Sequence, residues 1–456
     1  MMSEKFKLMD HQKFAIEAIE ANDGLLINIG LGGGKTMVAL SYIYKHLKRG
    51  DAKDALVVCP ASLVESWKQA IEGLPKFEGY DSRAVELMKE KVTITSFQKT
   101  YRTTKKEVVK SGGQVTYQKV ISVRPEVDKN WSILVIDEAH QVSAHNATGT
   151  KTMIALAQMS KKVISLSGTF TFGGRGMPAY NKLYGEIQVV SKGRAFKNWT
   201  EFRNKAIIAE DRFYNPLAYD EAYCKRLMEN WMIVFRTEDC VDLPDKVETV
   251  VPCPLAEKKV YTDFMNGEYS KYNVDIKMAG GQYTKMLQIV SGSLRTEDST
   301  LMLKTSKDDA LMDILNGTDD AVVVFCNYRA SIDHAAAAAR KAGRIVTVYD
   351  GRSKTETWKD FQAGRCDCIV MQYQSGGAGI NLQRSHTMVL YEPCFSALLL
   401  TQALGRIYRT GQTKKVQYFY LVTPASLETR VLKTVRSGKD VSEKMLIELA
   451  ESTDTD

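Results

Sequence analysis

The sequence predicts an α/β protein built as two parallel-sheet units, and three observations carry that prediction. Short apolar runs of strand length alternate with stretches of helical periodicity, the pattern of buried parallel strands covered by helices on both faces. The alternation occurs twice, once over residues 24–166 and again from about residue 321. The 456 residues suffice for two large domains or about three average ones, enough to bury a core without disulfides.

Taken in order, residues 10–21 read as a helix with Phe14, Ile16 and Ile19 among its apolar positions. GLLINIG (24–30) is the first strand; glycines and a helical stretch (36–47) follow. ALVVC (55–59) stops at Pro60 and is followed by a helical stretch (63–71). Further strands are expected at 92–95, 133–136 and 162–166. Residues 104–123 depart from the alternation: two β-rich arms flank Ser111-Gly112-Gly113, a hairpin signal. This insertion, about 100–125, is loaded with Lys99, Arg102, Lys105, Lys106, Lys110, Lys119 and Arg124. Residues 175–300 are rich in aromatic and charged side chains, with helical pattern and no clear strand alternation. Pro244 in DLPDK marks the break between units. The expected organisation is therefore 1–243, with a helical insertion at about 175–235; 244–440, with a helical segment at about 255–300; and a tail at 441–456. In the second unit AVVVFCNY, RIVTVYD, CDCIVMQY, HTMVLYE and VQYFYLV are strand-like, and 332–341 is helical.

Composition excludes several classes. The balance of 62 basic against 54 acidic residues leaves a net charge of +8, which tolerates a polyanionic partner without requiring one. Eight cysteines form no CxxC pair and the six histidines do not cluster with them, so neither a zinc site nor a disulfide framework is expected. Cys366 and Cys368 alternate along a strand, on one face, and read as core. No run approaches the roughly 18 apolar residues of a membrane span. MMSEKFKLMD has no apolar secretion segment. A cytoplasmic protein is expected.

The chemistry begins at Gly30-Leu-Gly-Gly-Gly-Lys35-Thr36, which follows a strand and opens a helix, as a phosphate-binding loop requires. Glycines let backbone N–H groups approach phosphates, and the helix N-terminus favours negative charge. Lys35 would reach the β/γ-phosphates and the Thr36 hydroxyl would hold Mg²⁺. The strict GxxxxGK[ST] pattern is missed because Ile29 occupies its first position. The strand at 133–136 ends in Asp137-Glu138-Ala-His140, offering Asp137 to Mg²⁺ and Glu138 to the attacking water. Far along the chain, Arg406 and Arg409 share one helical face if their stretch is helical. They would supply positive charge to the γ-phosphate.

On these residues the sequence resembles superfamily 2 helicases, and within them the Swi2/Snf2-type double-stranded-DNA translocases. Residues 8–12 (LMDHQ) resemble the adenine-reading Q motif, and 30–36 motif I. VVCPASLVESWK (57–68) resembles motif Ia, ITSFQ (94–98) the next strand-end motif, and 137–140 the DEAH form of motif II. LSGTF (166–170) corresponds to motif III, with Phe170 in place of the usual proline. Residues 322–333, 374–382 and 402–412 resemble motifs IV, V and VI. The compact layout is similar to small Swi2/Snf2-like helicases of tailed bacteriophages, which would place the protein in the host cytoplasm.

The resemblance implies two RecA-like lobes that share one molecule of ATP with Mg²⁺. Lys35, Asp137, Glu138, Arg406 and Arg409 would be catalytic. Gln12, Gly30, Gly32, Gly33, Gly34, Lys35, Thr36, Gly379 and Gln402 would bind nucleotide, and Thr36 and Asp137 would hold the metal. Ser62, Ser96, Lys105, Lys106, Thr169, Arg329 and Ser375 would lie nearest nucleic acid, while His140, Ser167 and Thr169 would couple hydrolysis to movement. The implied partner is DNA, duplex or branched, with phage replication or recombination proteins as further partners and a monomeric state. The competing readings are an RNA helicase and an ATP-switched nucleic-acid clamp. A small GTPase is disfavoured because no NKxD motif follows the phosphate loop.

Overall fold

A computed structural model describes residues 5–451 apart from 31, 110–114, 143, 169–179, 211–215, 237–239, 241–242, 275, 277–279, 354–356 and 377–379. For 105–109, 115–120, 181, 217 and 376 it describes the backbone alone. The chain forms two compact units that divide between residues 241 and 242.

The first unit carries β1 (Gly24–Ile29), β2 (Ala55–Cys59), β3 (Val92–Ser96), β4 (Tyr101–Val109), β5 (Val115–Val123), β6 (Ile133–Asp137), β7 (Lys162–Ser167), β8 (Ile207–Glu210), β9 (Pro216–Tyr219) and β10 (Met232–Phe235). Six of these form one sheet in the order β10-β1-β7-β6-β2-β3, parallel throughout. The apolar runs are unbroken because both faces are covered. Ala55, Val57 and Cys59 pack into one core with Ile27, Val38 and Trp67. Leu56 and Val58 point into another, with Leu134, Met153 and Leu156. β4 and β5 pair antiparallel outside this sheet, as the hairpin pattern predicts; the turn at Ser111-Gly112-Gly113 lies outside the described residues.

The second unit carries β11 (Lys246–Pro252), β12 (Ser293–Arg295), β13 (Thr300–Met302), β14 (Val322–Cys326), β15 (Val346–Tyr349), β16 (Cys368–Gln372), β17 (Thr387–Leu390) and β18 (Val416–Val422). Its six-stranded sheet runs β11-β18-β17-β14-β16-β15 and is again parallel. Val323 and Phe325 face one core, Val322, Val324 and Cys326 the other.

Three expectations need correction. Residues 175–300 do contain helices, including Leu183–Val190, Glu221–Trp231 and Gly281–Val290, but also strands. β10 and β11 are edge strands of the two main sheets. β11 carries Lys246, Glu248 and Thr249 and is mostly exposed, so it lacks the apolar run by which the central strands announce themselves; β10 is an apolar run of only four residues that follows the helix Glu221–Trp231 directly and merges with it in the pattern. Residues 443–451 are not a tail: the helix Glu443–Glu451 buries Leu446 in the core of the second unit. Cys366 and Cys368 are both buried, but in opposite cores, because Cys366 precedes the strand rather than belonging to it. Among the described residues, no helix is long and apolar enough to cross a membrane.

The second unit is also fastened by buried polar groups. Lys307 pairs with Glu428, both almost fully enclosed. On the helix Arg329–Lys341, His334 Nδ1 lies 2.8 Å from Asp308 Oδ2, and its Nε2 lies 2.8 Å from the Gly292 carbonyl oxygen. With an acceptor at each ring nitrogen, the doubly protonated ring is favoured. The Asp308 hydrogen bond raises the His334 pKa above the ordinary histidine value, against the opposing effect of burial. The folded pKa exceeds the unfolded one, so this stabilisation is complete below about pH 6.5 and is lost as pH rises through the raised value. Thermal melting from pH 6 to 9 should show the second unit losing stability, with the slope reduced in His334→Gln. An identical slope in that variant would contradict the assignment.

Candidate nucleotide site

Parallel strands deliver their carboxyl ends to one edge of a sheet. In the first unit β1 ends at Ile29 and β6 at Asp137, with β7 between them. The glycine loop follows β1. Gly30 N–H donates to the Phe235 carbonyl at 3.0 Å, and Gly33 N–H to Gly30 at 3.1 Å. Gly32 and Gly34 have φ of 85° and 79°, in the region that favours glycine. A Cβ on Gly34 would meet Gln12 Nε2 at 2.2 Å, and one on Gly33 would meet the Ile29 side chain at 2.3 Å. The helix Lys35–Arg49 starts directly after the loop, and no side chain caps its N-terminus. Its first-turn amides suit an anion.

Gln12 lies behind this loop, with only 3% of its surface exposed. Its Nε2 donates to the Gly33 carbonyl at 3.2 Å, and its Oε1 accepts the Met9 amide at 3.0 Å. His11 donates to the same Gly33 oxygen at 2.8 Å. Sequence pattern does not single out His11 as a loop anchor; its place beside Gln12 is the one signal available. Lys35 Nζ donates to the Ile29 carbonyl at 3.1 Å, and Thr36 is half-buried.

Asp137 is buried at the end of β6. Trp67 Nε1 donates to its Oδ2 at 2.8 Å, and the Glu138 amide to its Oδ1 at 3.0 Å. Burial, reinforced by the neighbouring Glu138 charge, pushes the Asp137 carboxyl up; the indole hydrogen bond and Lys35 pull it back. Trp67 belongs to the helix Val64–Glu72. The sequence identifies its motif but not this role, although a buried indole N–H does need an acceptor. Glu138 takes φ of 57°, an uncommon conformation for a residue with a side chain. Its Oε2 lies 3.3 Å from His140 Nδ1. Behind them Glu186 is 2% exposed, and burial pushes its carboxyl up to about 7 against the opposing charges of His140 and Lys182.

These residues fit a magnesium nucleotide. The loop amides and Lys35 would hold phosphates, Thr36 and Asp137 would hold the metal, and Glu138 has the reach of a water-orienting carboxylate. Among the described residues, no cluster of three histidine, cysteine or carboxylate side chains could hold a metal alone.

In the second unit, Gln402 is buried on the helix Ala397–Leu404. That helix ends before Arg406, so the two arginines occupy the turns after it and do not share a helical face. Arg406 is 5% exposed, and its Nη1 donates to the Ile380 carbonyl at 3.3 Å. Arg409 is half-buried, and burial lowers its pKa. Gln412 fastens this segment by donating to the carbonyls of Gln383, Ser385 and Ile407 at 3.2, 2.9 and 3.2 Å.

The expected nucleic-acid residues are scattered over both units. Ser62 and Arg329 are exposed and Ser375 is half-buried. Ser96 is only 4% exposed, so its hydroxyl is not offered to a backbone and is withdrawn from the contact set. Lys105 stands directly across the hairpin from Lys119 and Lys106 across from Gln118; their side chains lie outside the described residues. Ser167 is buried at the end of β7. Thr169, Phe170 and Gly379 lie outside the described residues.

Two parallel α/β sheets, the first with a glycine phosphate loop and an acidic strand end at one edge, define a two-lobed RecA-like fold. The chain belongs to the SNF2-related family: the SNF2-related domain matches residues 12–309, and the helicase conserved C-terminal domain matches 306–411. An uncharacterized ATP-dependent helicase, YqhH of Bacillus subtilis, is 22% identical across 97% of this chain and 80% of its own length. The human DNA annealing helicase and endonuclease ZRANB3 is 23% identical across 93% of the chain. The Saccharomyces cerevisiae DNA repair and recombination protein RDH54 is 22% identical across 93%. The chain spans 39% of ZRANB3 and about half of RDH54. The Sulfolobus solfataricus SWI2/SNF2 ATPase core, solved in complex with dsDNA, aligns over 98% of this chain and 96% of its own at TM-score 0.40 and 19% identity.

The Trp67 hydrogen bond yields a prediction. Trp67→Phe keeps an aromatic ring in the core but removes the donor that favours charged Asp137. The Mg²⁺ concentration for half-maximal ATPase should rise roughly tenfold, the scale of one hydrogen bond to a charged group, with far less change at saturating Mg²⁺. An unaltered Mg²⁺ requirement would exclude this role.

Proposed function

We propose that the chain is an ATP-dependent DNA translocase or helicase that remodels forked or four-way-junction DNA, by branch migration or unwinding. The observation that carries this reading is the grouping of the Lys35 loop with Asp137 and Glu138 at one sheet edge, in a chain of the SNF2-related family. Among its relatives, RDH54 carries DNA repair and recombination in its name, and ZRANB3 DNA annealing. The compact layout resembles tailed-phage helicases such as the phage T5 branch-migration helicase, which favours a place in phage replication, recombination or repair.

ATP supplies the phosphoryl group whose hydrolysis drives movement; the rest falls to the chain. The loop amides and Lys35 bind and orient phosphates, and Asp137, kept charged by Trp67 and the Glu138 amide, binds metal. Glu138 orients water and takes up its proton. Arg406 and Arg409 would supply positive charge to the γ-phosphate. Hydroxyls, amides and basic side chains at loop ends would track the phosphate backbone with little regard to sequence. In the hairpin the backbone register pairs Lys105 with Lys119, and a basic insertion of this composition suits a polyanionic partner. We assign the hairpin as a wedge that turns translocation into strand separation.

Steady-state ATPase with linear duplex, forked DNA and RNA tests the reading. Duplex or forked DNA should stimulate hydrolysis well above RNA, and Lys35→Ala and Glu138→Gln should each lose about a hundredfold or more. Equal, near-zero turnover in wild type and both variants would refute the enzyme, and greater stimulation by RNA would favour the RNA helicase. Deleting residues 105–119 should leave DNA-stimulated ATPase largely intact while fork unwinding falls. Unwinding that survives the deletion would remove the wedge.

A further inference from the structure

Glu392 lies just beyond the end of β17 and is 1% exposed. Its Oε1 accepts the amides of Asn327 at 2.6 Å and Tyr328 at 3.1 Å, the two residues joining β14 to the helix Arg329–Lys341. Its own carbonyl accepts the Tyr373 hydroxyl at 3.1 Å. Tyr373 opens the helical turn Tyr373–Gly376, which carries Ser375 directly after β16. Gln372 closes the triangle by donating to the Asn327 carbonyl at 3.2 Å. The preceding residue, Tyr391, donates to Asp308 at 2.7 Å, and Asp308 in turn holds His334 in the same helix. The ends of β14, β16 and β17 are thus joined around one carboxyl group.

Packing alone does not account for that group. Its Oε2 is buried, with no hydrogen-bond partner among the described residues. Burial pushes the Glu392 carboxyl up to about 7 even though Lys307 and the two amides favour its charged form. An apolar side chain of similar volume would avoid this desolvation cost. What it could not do is accept two backbone amides at the start of a helix.

We propose that Glu392 is a positioning residue that locks the start of the helix Arg329–Lys341 and the helical turn bearing Ser375 into one block. Their contacts to a DNA backbone are then made and released together. This rests on the DNA-translocase reading, and assigns to it a residue that touches neither nucleotide nor DNA.

The test uses the full chain. Wild type, Glu392→Ala, Glu392→Gln and Gln372→Ala are compared for melting temperature, DNA-free ATPase, KM for ATP and the duplex-DNA concentration giving half-maximal stimulation. In Glu392→Ala that DNA concentration should rise about tenfold or more, the scale of the lost charge-assisted hydrogen bonds. Its DNA-free rate and KM for ATP should stay within about twofold of wild type, since these bonds brace loops outside the nucleotide loop. Glu392→Gln retains an oxygen able to accept both amides and should largely restore the wild-type value. Gln372→Ala leaves the carboxyl in place and should give a smaller rise. A natively melting Glu392→Ala with an unchanged DNA requirement would overturn the proposal, as would DNA-free and DNA-stimulated rates falling in parallel. If Glu392→Ala does not fold, Gln372→Ala decides, and an unchanged DNA requirement there overturns it. If DNA does not stimulate wild type, the translocase reading itself fails and takes this one with it; DNA stimulation of wild type with indifferent variants overturns the positioning role alone.

Discussion

A carboxylate at the end of an apolar strand cannot remain charged inside a parallel sheet unless something replaces its water. Asp137 is in that position. It is 6% exposed, and what replaces solvent is one indole N–H from a neighbouring helix and the amide of the next residue. Much of the first unit follows from keeping that group usable. The helix Val64–Glu72 must pack with Trp67 inward. The chain must turn at once after β6, which drives Glu138 to positive φ and carries it towards His140. β7 must separate β6 from β1, so that the Lys35 loop and the acidic strand end share an edge without colliding.

The second unit solves a related problem differently. Its strand ends are joined by side chains rather than by a tight loop: Glu392 across β14 and β17, Gln372 and Tyr373 from β16, Tyr391 through Asp308 to His334. Such polar fasteners are directional, so they fix geometry where apolar packing would fix only proximity. Rigid loops at the strand ends are what a motor requires if a change at the nucleotide is to move a backbone contact rather than be absorbed by slack.

Much of this is legible in the sequence because parallel sheets covered on both faces leave unbroken apolar runs. The glycine run ahead of Lys35-Thr36 is equally legible, since close approach of backbone amides to phosphate requires residues without a Cβ. The central strands β1, β2, β6, β14 and β17 are readable on the first ground. β11 is not, because an edge strand has a neighbour on one side only and need not be apolar; β10 is apolar but only four residues long and directly continues a helix, so the pattern does not set it apart. The expected helix beneath Arg406 and Arg409 is also absent: periodicity places residues on a face only if the backbone stays helical, and here it ends at Leu404. Ser96 reads as an accessible strand-end hydroxyl, yet neighbouring chain covers it. The roles of Trp67, His11 and Glu392 escape pattern reading, because their partners lie 70, 22 and 65 residues away.

In the function proposed above, hydrolysis at the Lys35–Asp137–Glu138 edge moves the chain along duplex DNA. Displacement of a third strand from a linear DNA triplex measures that movement directly, without requiring the duplex to open. The wild-type chain should displace the third strand in the presence of ATP and Mg²⁺, and Lys35→Ala should not. DNA-stimulated hydrolysis with no displacement by the wild type would contradict the claim.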